Sequence, residues 1–133
     1  MSSEEIKQQL AVNAQEITRL HARIHETVRF RSHSPEQKSE WERACEEFHS
    51  RYDQLAFPGG YDTAFDRILA RDEEAIETAL CFLESRPYFF RSGYMWKEIS
   101  RKLKHADLTN QQSARFETTM DKYNDWRATK RAG

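Results

Sequence analysis

Apolar positions recur at helical spacing along almost the whole chain. Ile6, Leu10, Ile17, Leu20 and Ile24, with Asn13 filling the one gap, follow one another in steps of four and three. That is a seam of coiled-coil type with a single polar member. It predicts a first helix from about Ser3 to Arg31, capped by Ser2 or Ser3, with Glu4 and Glu5 placed against the dipole of its first turn. Ser32-His33-Ser34-Pro35 ends it. Ser34 then opens a second helix, with Pro35 suited to the first helical position and Gln37 completing a capping box. Trp41, Cys45, Phe48, Tyr52 and Leu55 repeat the four-three spacing. Two seamed helices joined by a short loop predict an antiparallel hairpin.

Phe57-Pro58-Gly59-Gly60 is the strongest break in the chain. No strand precedes it and no Gly-Lys-Ser/Thr follows, so it reads as a helix terminator and not as a phosphate loop. Beyond it, Asp62 is placed to cap a short helix carrying Phe65, Ile68 and Leu69. Asp72 is placed to cap the next, with Ile76, Leu80 and Leu83 on one stripe. Pro87 breaks or starts a helix, and Ser92-Gly93 marks a second weak point. From Tyr94 onward Trp96, Ile99, Leu103 and Ala106 share one face, while Lys97, Arg101 and Lys104 share the other. Thr109 and Gln112 form a further capping box. The last helix carries Ala114, Phe116, Met120, Tyr123 and Trp126, and residues 127–133 form a basic tail expected to fray.

The pattern predicts an all-α fold: one domain over residues 1–133, a bundle of five or six helices built on a long antiparallel hairpin of the two longest. Successive hairpins keep a short α-solenoid as the alternative. Four glycines and three prolines leave few tight turns for a β fold, and sixteen aromatic residues supply the area a core needs. The first helix's seam is longer than the second helix covers, which suggests a homodimer through the first helix.

Charge changes the picture in one respect. Residues 1–85 hold ten Lys/Arg against seventeen Asp/Glu, a net of −7, whereas residues 86–133 hold eleven against five, a net of +6. Either the halves attract one another internally, which is the plainer reading, or the basic half is offered to an acidic partner. Cys45 and Cys81 lack any paired spacing and read as reduced thiols of a cytoplasmic protein. The acidic amino terminus is not a secretory signal, and no apolar run is long enough to span a membrane.

Candidate chemistry is sparse. His21 and His25 stand one turn apart beside Glu26, but no third ligand is implied, so no metal is expected. Glu46-x-x-His49 has the spacing of a di-iron helix, yet no second such pair exists. Ser92 lacks the glycine pattern of a nucleophile elbow, and the carboxylates are scattered over solvent-facing positions. No catalytic residue, enzyme activity or cofactor is expected. The one dense constellation is Pro87 to His105, with Tyr88, Phe89, Phe90, Tyr94 and Trp96 followed by the most basic run of the chain. Its plainest reading is an aromatic core under a solvated basic face. The functional expectation is a small helical protein-interaction module, an adaptor, inhibitor or assembly factor. Its contact surface for an acidic protein is Arg91, Tyr94, Lys97, Arg101 and Lys104, with Arg91 and Tyr94 presented by a loop at Ser92-Gly93. A nucleic-acid-binding module using the same stripe is the rival, and an enzyme without a legible site the third reading.

Overall fold

The computed structural model describes residues 1–132, all helix and connection with no strand among them. Six helices follow in order: α1 (Ser3–Val28), α2 (Pro35–Ala56), α3 (Ala64–Leu69), α4 (Glu73–Ser85), α5 (Ser92–Lys104) and α6 (Asn110–Ala132). They form a helical bundle. The start signals act largely as their chemistry dictates. Ser2 and Glu5 make a reciprocal capping box on α1, Asp72 accepts from the Ala75 N–H on α4, and Thr109 with Gln112 closes the start of α6. At α2, Ser34 Oγ accepts from the Gln37 N–H, but the Gln37 side chain bonds the Ser34 hydroxyl and not its backbone. Asp62 does not cap α3. Thr63 takes that position without a side-chain bond, and the Asp62 N–H instead donates to Asp53 Oδ1 at 2.8 Å.

α1 and α2 form the expected antiparallel hairpin: Arg23 pairs with Glu47 at 2.9 Å, and Arg51 reaches Glu16 at 3.7 Å. Ile6, Leu10, Asn13, Ile17 and Leu20 are all buried in this chain. The seam that suggests a homodimer is thus covered from Ile6 to Leu20 by other helices of the same molecule, with Ile24 at its end partly buried. The hairpin does not join the two longest helices, since α6 has 23 residues against 22 in α2.

The hub is α4. It packs against α1, α3, α5 and α6, and eight of its thirteen residues are buried, including Ala75, Ile76, Ala79, Leu80, Cys81, Phe82 and Leu83. A helix surrounded on several sides needs apolar residues all round, not a stripe. Central burial of this kind excludes the solenoid, in which each repeat touches only its neighbours. The Pro58-Gly59-Gly60 turn lies over Arg67, whose guanidinium donates to the Gly60 carbonyl at 2.8 Å and stands over the Phe57 ring. Gly59 and Gly60 take left-handed φ of +91° and +101°, as a terminator requires.

Ser92 and Gly93 belong to the first turn of α5 and do not form a loop. Ser92 is buried, and its Oγ accepts from the Phe89 N–H at 3.0 Å, tying the incoming chain to the helix start. Gly93 has helical backbone, and a Cβ there would meet nothing within 4 Å. Gly93→Ala is therefore expected to stabilise the protein by up to about 1 kcal/mol, read as a shifted urea midpoint with unchanged slope.

Candidate functional site

The connection from α4 to α5 divides the aromatic cluster. Phe89 and Trp96 are buried, at 6% and 5% exposure, while Tyr88 is 91% exposed, Tyr94 65% and Phe90 41%. Trp96 sits in the core stripe and donates its indole N–H to the Leu83 carbonyl at 3.1 Å. The cluster is thus half core and half surface, because consecutive residues 88–90 cannot all face inward.

Lys97, Arg101 and Lys104 are exposed on the expected side of α5. They do not project into open solvent alone, because α6 runs beside them. Between the two helices lies a groove of about 610 Å³, with Lys97, Arg101 and Lys104 along one wall and Asn124 and Arg127 on the other. Trp96, Phe116, Met120 and Tyr123 supply its apolar lining. No lining residue is acidic, and none of the four cations has a carboxylate within 4 Å among the described residues. Internal neutralisation of the basic half is correspondingly slight. Of its cations only Arg115, among the described residues, forms an ion pair with the acidic half, to Glu77 and Glu84 on α4.

The remaining two expected contact residues separate from this groove. Tyr94 is exposed on α5 but does not line it. Arg91 precedes the helix with φ +69°, its guanidinium 5.3 Å over the Phe90 ring. Its charge is felt by Tyr52, on the α2 side of the molecule. Two surfaces exist where the sequence suggests one. The wall that sequence reasoning missed is Phe116, Met120, Tyr123 and Arg127, whose four-three-four spacing reads equally well as a core stripe. Arg127 also falls in the stretch expected to fray, through which α6 continues as helix to Ala132.

Arg86 closes the upper end. It sits at the C-cap of α4 with φ +50°, where glycine is the usual choice. Its guanidinium lies 5.2 Å from Trp96, 5.4 Å from Tyr123 and 5.2 Å from Trp126. Three rings around one cation fix the distal part of α6 against α5. They also leave Trp96 and Tyr123, 4.4 Å apart and tilted together, already engaged with each other.

On the other surface, His21 stacks on Phe90 (4.3 Å between ring centres, 19° between planes) with His25 edge-on at 4.6 Å. Desolvation, reinforced by the charge of His25, holds the His21 imidazole below its ordinary pKa. The unfolded chain therefore takes up the proton first. The stabilising contribution is complete above the ordinary imidazole value and is lost as pH falls through the folded one. A proton NMR titration should place the His21 midpoint below that of a free imidazole, and Phe90→Ala should raise it by uncovering the ring. No group of three metal-ligating side chains assembles around His21 and His25 or elsewhere among the described residues.

Other chemistry finds little footing. The Cys81 thiol is buried, and burial with the nearby Glu77 carboxylate pushes it up to about 11, far from a reactive thiolate. Burial and a hydrogen bond to Glu98 at 3.0 Å raise the Tyr61 phenol well above its ordinary value, so it acts as a donor tying α5 to the loop after α2. No described helix is long and apolar enough to cross a membrane. No family model, curated protein or solved structure matches the chain.

Proposed function

We propose that this protein is a small helical interaction module that binds an acidic segment of another protein in the groove between α5 and α6. The observation that carries the reading is the set of four unpaired cations, Lys97, Arg101, Lys104 and Arg127, ranged along an apolar-lined groove without a single carboxylate. Like charges so gathered repel one another, and a carboxylate-bearing partner relieves that repulsion while covering Met120 and Tyr123. The reading is of a binding protein and not an enzyme, and two unpaired thiols support placing it in the cytoplasm.

The test is Arg101→Glu with Lys104→Glu. Exposed charges contribute little to folding, so the double variant should melt within a few degrees of the parent. Capture of acidic proteins from the native host should survive nuclease treatment with the parent and disappear with the variant. Binding measured on the captured partner should weaken with salt in the parent and lose most of that dependence in the variant. Capture that nuclease abolishes overturns the reading in favour of nucleic acid.

A further inference from the structure

The groove narrows the class of partner, and the inference rests on the reading above. We infer that it seats an amphipathic α-helix of the partner protein, carrying carboxylates at i, i+4 and i+7 and apolar side chains between them. The spacing comes from the wall itself. Lys97, Arg101 and Lys104 recur in steps of four and three, which on α5 span about 10 Å, or two turns. Opposite them Phe116, Met120, Tyr123 and Arg127 recur in steps of four, three and four on α6. Two helical ridges with a valley between them are the surface into which the ridge of a third helix fits.

Backbone chemistry disfavours an extended segment. Both walls are helices whose backbone groups are already paired, and the lining offers side chains only. An extended peptide would lay unpaired amides and carbonyls against Trp96, Met120 and Tyr123, whereas a helix satisfies its own. Base stacking is disfavoured on different grounds, since of the rings lining the groove only Phe116 lacks an aromatic or cationic neighbour. Trp96 is buried and tilted against Tyr123, and Arg86 already stands over both rings, so neither presents a free face. Charge fixes the sign: all four ionised groups lining the groove are cationic, so the matching stripe on the incoming helix is acidic.

The experiment uses the full chain and three probes: a four-turn peptide with Glu at i, i+4 and i+7 and Leu between them, the same composition with a central proline, and a single-stranded oligonucleotide. Binding is read by calorimetry and by the change in tryptophan fluorescence, to which Trp41, Trp96 and Trp126 all contribute, and peptide structure by circular dichroism. The helical peptide should bind saturably and gain helicity, and the proline peptide should bind about tenfold or more weakly. Arg101→Glu with Lys104→Glu should remove binding of the helical peptide, and the milder Lys97→Ala with Lys104→Ala should weaken it about tenfold. Equal binding of both peptides overturns the helical inference and leaves the acidic-partner reading standing. Binding of neither peptide overturns both, whether or not the oligonucleotide binds. Self-association of the protein alone that the double reversal abolishes makes a second copy's acidic half the occupant, and overturns the partner helix.

Discussion

Leu20→Ala should lower the free energy of unfolding by about 2–5 kcal/mol, the cost of emptying a buried position of the α1–α2 hairpin. Leu20 is 1% exposed and closes the buried series begun by Ile6, Leu10 and Ile17. Truncation there removes apolar area and leaves a cavity in the buried α1–α2 seam, and a close-packed interior collapses poorly into such a space. Val12, on the same helix but 59% exposed, is the control, and Val12→Ala should change stability by less than about 0.5 kcal/mol. Urea unfolding of both variants checks the pair. A loss at Leu20 as small as that at Val12 would mean the α1 seam faces outward, and would reopen its use by a second copy.

That seam was legible because each of its residues states the same period and the caps at Ser2 and Ser34 agree with it. The hub was less so. Ala75-Ile76 and Ala79 to Leu83 form a near-continuous apolar run, yet Ile76, Leu80 and Leu83 alone already satisfy a one-sided stripe. How many helices surround α4 is a property of the assembled chain and leaves no mark on its own period. The break at Ser92-Gly93 was misplaced for a local reason. Arg71, Arg86 and Arg91 all take φ between +50° and +69°, positions where glycine is the ordinary signal. Gly93, meanwhile, lies inside a helix that does not need it. At the groove, the α5 stripe was readable from Lys97, Arg101 and Lys104, but the α6 wall was not. Phe116, Met120 and Tyr123 carry the spacing of buried residues, and only the placing of α6 beside and not on top of α5 leaves them half-buried. Tyr94 and Arg91, close in sequence to the stripe, were separated from it by the turn of the helix and the left-handed backbone at Arg91.

The placing of α6 depends on Arg115, and Arg115→Met should cost about 2 kcal/mol and loosen the helix. None of the α6 side chains among the described residues is buried outright, so apolar packing alone does not fix it to the hub. Arg115 substitutes for that packing. Its guanidinium forks onto Glu84 at 2.7 and 3.2 Å and reaches Glu77 at 2.6 Å, two carboxylates two turns apart on α4, while Lys7 of α1 meets Glu84 at 3.3 Å. All three side chains of the fork are less than a third exposed, so the pair is screened less than a surface bridge. Desolvation alone would raise both carboxyls, but the hydrogen bonds and charge of Arg115, joined by Ser3 at Glu77 and Lys7 at Glu84, outweigh it and hold both below the ordinary carboxylate value. Stability from this cluster is therefore present above that value and lost as pH falls through the lowered ones, where the folded carboxylates finally protonate. With methionine in place of Arg115, burial at Glu77 acts against Ser3 and Cys81, and at Glu84 against Lys7. The gap between parent and variant should then be widest near neutrality and should shrink below about pH 4.5 as the carboxylates protonate. Arg115→Lys should fall between the two, since an ammonium keeps the charge but cannot fork. The decisive measurement adds Glu77→Gln and Glu84→Gln to Arg115→Met. If the loss comes from stranded carboxylates, the triple variant recovers much of it, whereas equal loss in both means that the contact surface of the Arg115 side chain, and not its charge, holds α6 in place beside the groove.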